Sequence, residues 1–161
     1  MSDTQLRKQL VKHLKGGEAY APIDQILDDT PFEKLGVTVE DLPYTFYQLF
    51  WHIRHAQRDI LEYCRDENYK APDWPDGYWP EKKSPKSTEA WEELIENYFQ
   101  ERQELCDLLL NPSNDLFGPL PTNSDHHLFR EAQLVIEHTS YHTGQLYLLY
   151  RLLQNQVAFS D

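Results

Sequence analysis

The chain has 161 residues, with 27 acidic and 15 basic side chains and a formal net charge of −12. That length lets one domain, residues 1–161, bury a full core without disulfide or metal support. The acidic balance argues against a nucleic-acid partner, since binding phosphates requires clustered Lys and Arg. No apolar run is long enough to cross a bilayer, so we expect no membrane partner. Residues 1–15 lack the apolar core of a secretion signal, and Cys64 and Cys106 form no Cys-x-x-Cys pair. We therefore expect a cytoplasmic protein with reduced thiols.

The first third of the chain predicts one helix and two short helical pieces. Three leucines at four-residue spacing predict a helix that starts near Ser2 or Asp3 and is interrupted by the glycines at 16–17 and a following proline. A short helix is expected around Ile23 to Asp28. The sequence Thr-Pro-Phe-Glu from Thr30 has the form of a capping box, and a glycine three residues later ends that turn.

Three long amphipathic segments follow. The first is opened by Pro43 and runs to about Asp66, the second runs from about Thr88 to Leu110, and the third from Ser124 to Gln154. Proline-rich loops, Asn68–Ser87 and Asn111–Ser124, separate them. With the N-terminal helix counted as the first, the pattern predicts an all-α four-helix bundle with long loops after helices two and three. Its helices need not alternate in direction.

Two histidines four residues apart, His138 and His142, lie in the last predicted helix. Residues at this spacing project from one helix face, so two imidazoles there can hold one metal ion. They fall on an apolar stripe, and we expect both to be interior. That stripe comprises Leu128, Glu131, Leu134, Val135, His138, Tyr141, His142, Gln145, Leu148, Leu149 and Leu152. The alternative is a pair of hydrogen-bonded core histidines without a metal.

A third metal ligand is predicted in the helix opened by Pro43. His52 shares the apolar face of Leu49 and Ala56, whereas His55 aligns with a polar face and is expected at the surface, as is His126. A bundle can bring His52 to the other pair, forming a three-imidazole site with one or two open positions. Such a site suits Zn²⁺, Ni²⁺ or another divalent first-row ion.

Two motifs resemble those of the DinB family, the DinB/YfiT-like metalloenzymes. One is His-Thr-Ser-Tyr-His-Thr-Gly-Gln-Leu from His138, and the other is Gln-Leu-Phe-Trp-His ending at His52. The resemblance implies a four-helix bundle with an unusual connection order, a metal site at His52, His138 and His142, and frequent homodimers. It implies no single reaction, because the family includes members similar to thiol-dependent transferases and isomerases. One branch of the family is expected to have histidine at the position of Tyr20, and this chain departs from that branch there.

The chemistry expected of this site is metal-dependent action on a small-molecule substrate. A hydrolase using metal-bound water comes first; a thiol S-transferase and a non-catalytic metal- or ligand-binding bundle are the alternatives. Glu131 is a weak candidate for orienting a ligand ring or for accepting a proton; the alternative is an ordinary half-exposed glutamate. Gln145 is a weak candidate for reaching a metal-bound water; the alternative is a hydrogen bond to a neighbouring helix.

The aromatic loop around Trp74–Trp79 is expected to cover the site, to form a dimer contact or only to pack against the bundle. A chain with 21 aromatic residues is also expected to form a homodimer.

Overall fold

The computed structural model describes residues 3–122 and 125–155. Over those residues the chain is all-α, as predicted, and the only β pairing is an isolated bridge between Pro119 and His127. Single 3₁₀ turns lie at Phe32–Lys34 and Asp76–Tyr78. The α-helices are α1 (Asp3–Lys15), α2 (Ile23–Asp28), α3 (Phe46–Arg65), α4 (Thr88–Leu110) and α5 (Leu128–Asn155).

The four long helices form a bundle in which α3 packs against α4 and α5, and α1 packs against the same two helices. Arg54 pairs with Glu101 and Arg65 with Glu104, so α3 and α4 run in the same direction. Parallel neighbours require a connection that returns along the bundle, which explains the length of the segment 66–87. That segment passes over one face of α3, and its path matters for the functional site.

The start of α3 is set by a threonine rather than by the proline before it. Helix α3 begins at Phe46, three residues later than the predicted start at Pro43. The Thr45 hydroxyl accepts from the Gln48 amide, and the Gln48 side chain accepts from the Thr45 amide. This reciprocal capping box satisfies two donors that would otherwise lack partners, and it fixes the boundary.

One other predicted helix start is wrong, and another lies outside the described residues. The capping box expected at Thr30 does not form: Pro31 occupies the N-cap without a side-chain bond, and the Thr30 hydroxyl donates to the Ile26 carbonyl at 2.6 Å. Helix α5 begins at Leu128, and the expected start at Ser124 lies outside the described residues. His127 takes the capping role there, because its Nδ1 accepts from the Arg130 amide at 3.1 Å.

The buried apolar side chains form two clusters at different levels of the bundle. An aromatic-rich cluster contains Phe46, Phe50, Trp91 and Tyr98 and extends to Leu153 of α5. An aliphatic cluster contains Leu14 and Leu61 among others and reaches α5 at Leu128, Ala132 and Val135. The stretch of α5 between these contacts carries the two histidines. No helix among the described residues is long and apolar enough to cross a bilayer.

Candidate metal centre

Three histidines from two helices converge at the middle of the bundle. His52 lies on α3, and His138 and His142 lie one turn apart on the antiparallel helix α5. The Nε2 atom of His52 is 3.0 Å from Nε2 of His138 and 3.2 Å from Nε2 of His142. All three residues offer a ligand nitrogen within 4.8 Å of the others, a set that can hold a metal ion.

The other ring nitrogen of two of these histidines is held by an oxygen acceptor. His52 Nδ1 donates to the Tyr78 carbonyl at 2.9 Å, and His142 Nδ1 donates to Gln145 Oε1 at 2.6 Å. A neutral imidazole that carries its proton on Nδ1 presents a lone pair on Nε2. The facing Nε2 atoms of His52 and His142 are therefore both acceptors at 3.2 Å, an arrangement that a cation between them would stabilise.

Protonation of the rings is disfavoured in this setting. Burial, with smaller contributions from the neighbouring His142 and His52, lowers the pKa of His138 to about 3. Burial also lowers the pKa of His52 and of His142, against smaller opposing effects of the Tyr78 carbonyl and of Gln145. The rings are consequently neutral near pH 7, which is the form that ligates a metal.

The nitrogen separations fit tetrahedral coordination by a small divalent ion. Ligand nitrogens about 2.0 to 2.1 Å from one ion, at tetrahedral angles, lie about 3.4 Å from each other. Two of the observed separations, 3.0 and 3.2 Å, are close to this value. Three imidazoles also leave at least one coordination position for a ligand from outside the protein.

The loop that connects α3 to α4 is fastened over His52. The Trp79 ring stacks on the His52 ring at 4.1 Å with an interplanar angle of 3°, and Gln48 Nε2 donates to the Pro80 carbonyl at 3.1 Å. Asp59 accepts from the hydroxyls of Tyr69 and Tyr78 at 2.9 and 2.7 Å. The predicted aromatic loop thus both covers the site and is pinned to the bundle. The contact between His52 and the Tyr78 carbonyl had no signal in the sequence, because a backbone carbonyl 26 residues away leaves no side-chain pattern.

A cavity of about 430 Å³ adjoins the histidine cluster. His52 and His138 form part of its wall, and Trp74, which is 75% exposed, stands at its edge. The wall is predominantly apolar, from Ala56, Ile60, Tyr63, Ala71, Tyr78 and Leu134, with a polar group made by Asp59, His126, Arg130 and Glu131. A small molecule in this cavity would lie directly against two of the three histidines.

Glu131 is more buried than expected, and Gln145 contacts a histidine of the cluster. The sequence favoured a half-exposed Glu131, but the residue is buried, 2% exposed, and its carboxylate pairs with Arg130. Its carboxylate also lies 3.7 Å from His126 Nδ1. The Oε1 atom of Gln145 accepts from His142 Nδ1 and so holds the ring of that histidine. Glu131 therefore belongs to the cavity wall, and Gln145 orients a histidine of the cluster.

The buried face of α5 is rotated from the predicted stripe. Thr139 and Thr143 are buried, whereas Tyr141 and Leu148 are 65% and 59% exposed. His138 and His142 are half-buried at the edge of that face, not interior, and this edge position opens His138 to the cavity. Besides the two threonines, the predicted stripe left out Ala132, Leu146 and Leu153, which are also buried.

Two other histidines also differ from expectation. His55 is half-buried, stacked on Trp51 at 4.5 Å, where a surface position was expected, because the covering loop places Tyr78 against its ring. His126 is half-exposed but lines the cavity. The choice of His52 over His55 as the residue that reaches the α5 pair agrees with the structure.

Residues 17–146 match the DinB superfamily, a range that includes His52, His138 and His142. The chain belongs to the DinB superfamily. Comparison with curated proteins and with solved structures gave no significant match. The family and the three-histidine cluster together fit a metal-binding protein.

Proposed function

We propose that this DinB protein is a metal-dependent enzyme whose ligands are His52, His138 and His142 and whose substrate is a small molecule bound in the adjoining cavity. The observation that carries the proposal is the pair of lone pairs on His52 Nε2 and His142 Nε2, which face each other at 3.2 Å beside that cavity. A divalent first-row ion such as Zn²⁺ or Ni²⁺ suits three imidazoles. The favoured activity is hydrolysis.

The residues around the cluster prepare it for this chemistry. A divalent ion bound by neutral ligands supplies a Lewis acid that lowers the pKa of a water or a thiol beside it. The Tyr78 carbonyl and Gln145 hold two rings in the tautomer that ligates. The buried carboxylate of Glu131 lies on the same cavity wall, where it can hold a polar group of the substrate.

A thiol S-transferase is the second function that an observation favours. The cavity wall beside the histidines is built from Ala56, Ile60, Leu134 and Trp74, which suits an apolar electrophile. Glu131, seven residues or about 10 Å along α5 from His138, is too far to take a proton from a group at the cluster directly. Transfer of a thiol that is already ionised needs no such acceptor.

The experiment that separates these activities uses metal-free protein loaded singly with Zn²⁺, Ni²⁺, Co²⁺ or Mn²⁺. Hydrolysis of p-nitrophenyl acetate is measured beside coupling of cysteine to monobromobimane, with metal stoichiometry determined in the same samples. We expect one ion per chain and activity that is lost in a His138→Ala variant and kept in a His55→Ala variant. One ion per chain with neither activity, followed by unfolding when a chelator is added, would indicate the non-catalytic alternative.

We also propose a homodimer in the cytoplasm. The large exposed side chains Trp74, Phe117, Tyr141 and Leu148 support an interface, and the two buried free cysteines, Cys64 and Cys106, support a reducing compartment. Sedimentation at micromolar protein tests the first of these; a single species near the 19.1 kDa of the chain would contradict it.

A further inference from the structure

The outward side of α5 carries an exposed strip centred on a glycine. Tyr141 and Leu148 are 65% and 59% exposed, and Glu137, Gly144 and Arg151 are exposed with them. At about 100° per residue, all five lie within roughly 80° of one another around the helix. We call these five residues the outer face of α5. It lies on the side of the helix away from the core, next to the histidines.

Gly144 gives this face a shallow centre. A Cβ atom built at Gly144 meets no atom within 4 Å, so no packing inside the chain requires glycine there. Glycine in the middle of a helix costs about 1 kcal/mol relative to alanine. A backbone without a side chain on an open surface does, however, permit another backbone to approach closely.

The charges of the outer face are complementary to those of the outer face of a second, antiparallel copy of the chain. Glu137 and Arg151 each stand seven residues, about 10 Å along the axis, from Gly144 on opposite sides. In an antiparallel pair of identical helices crossing at Gly144, the Glu137 of each copy comes beside the Arg151 of the other. Tyr141 and Leu148, which lie on the same flank, meet in the same way. Neither Glu137 nor Arg151 has an ion pair within residues 3–122 and 125–155.

We propose that the outer face of α5 is the dimer interface and that its occupant is the outer face of a second copy, related by a two-fold axis at Gly144. This rests on the homodimer proposed above and gives it a surface and a register. A self-complementary patch is what a two-fold interface requires. A purely cationic or purely anionic partner would match only one end of the face. The Tyr141 ring, 4.9 Å from the ring of His142, would be covered in the dimer, so the interface borders the metal centre.

Sedimentation equilibrium on the full zinc-loaded chain tests the register. We expect a dimer of twice 19.1 kDa, whose dissociation constant rises about tenfold or more in Gly144→Gln. Folding should not suffer, because the site is open and glutamine is the better helix former. Leu148→Glu should weaken the dimer similarly, whereas Leu110→Glu, at a leucine 44% exposed on α4, is the matched control and should not.

A charge exchange makes the test specific to the antiparallel crossing. Glu137→Arg and Arg151→Glu should each weaken the dimer several-fold, since each places like charges together twice by symmetry. The double variant should regain the wild-type dissociation constant within about threefold. A monomeric wild type, a dimer that tolerates Gly144→Gln, or a double variant that fails to recover would each overturn the proposal. Metal stoichiometry, measured in every variant, reports on the metal centre separately.

Discussion

The middle of the bundle and its two ends are built from different side chains. At the ends, α3 and α5 meet through buried apolar residues such as Phe50 and Leu149 at one level and Leu61 and Val135 at the other. In the middle the same helices present His52, Gln57, Thr139 and Thr143, all buried, beside the half-buried His138 and His142. The ends therefore supply the free energy of folding, and the middle holds polar groups at a cost that apolar packing on both sides offsets.

This division can be tested first by removing a histidine. His138→Ala should abolish metal binding, because two imidazoles from different helices cannot close a tetrahedral site. The free energy of unfolding of the metal-free protein should fall by less than about 2 kcal/mol, since both apolar clusters remain. Metal analysis after gel filtration and urea unfolding give the two values. Global unfolding of this variant would mean that the middle, too, holds the fold together.

A truncation in the aliphatic cluster should have the opposite pattern of effects, on folding and not on metal binding. Leu61 is 0% exposed, and Leu61→Ala should lower the free energy of unfolding by roughly 2 to 5 kcal/mol through lost burial and a cavity. Metal affinity measured on the folded protein should stay within about threefold of the wild type, because Leu61 lies nine residues, about 13 Å along α3, from His52. Loss of metal from a fully folded Leu61→Ala protein would show that the apolar clusters at the ends of the bundle also shape the metal centre.

A smaller effect is expected at the residue that orients His142. Gln145→Ala removes the acceptor at 2.6 Å from His142 Nδ1, and metal affinity should fall roughly 10- to 100-fold. Gln145→Glu keeps an oxygen acceptor and should restore most of that affinity, which separates orientation of the ring from a packing role. Competition with a colorimetric zinc chelator measures both variants. An equal loss of metal affinity in the two variants would contradict the role of Gln145 in orienting His142.

The sequence predicted the helices and the histidine cluster for local reasons. The spacing of His52 from Leu49 and Ala56 placed it on the inner face of its helix, and the four-residue spacing of His138 and His142 placed them on one side of theirs. Features that depend on distant segments were not predicted. The Tyr78 carbonyl reaches His52 only because two parallel helices require a long returning loop. Glu131 likewise lies in a cavity wall that side chains of α3 and of the returning loop complete.

The smallest effect is expected at the second histidine of α3. His55 stands one turn from His52, half-buried between Trp51 and Tyr78, and its Nε2 is buried without a hydrogen-bond partner among the described residues. His55→Ala loses ring contacts worth about 1 kcal/mol but removes that unpaired nitrogen and adds a better helix former. The melting temperature should shift by a few degrees at most, with metal stoichiometry unchanged. Calorimetry and metal analysis on the same sample check both values, and a loss of metal would mean that His55, through Tyr78, supports the carbonyl that holds His52.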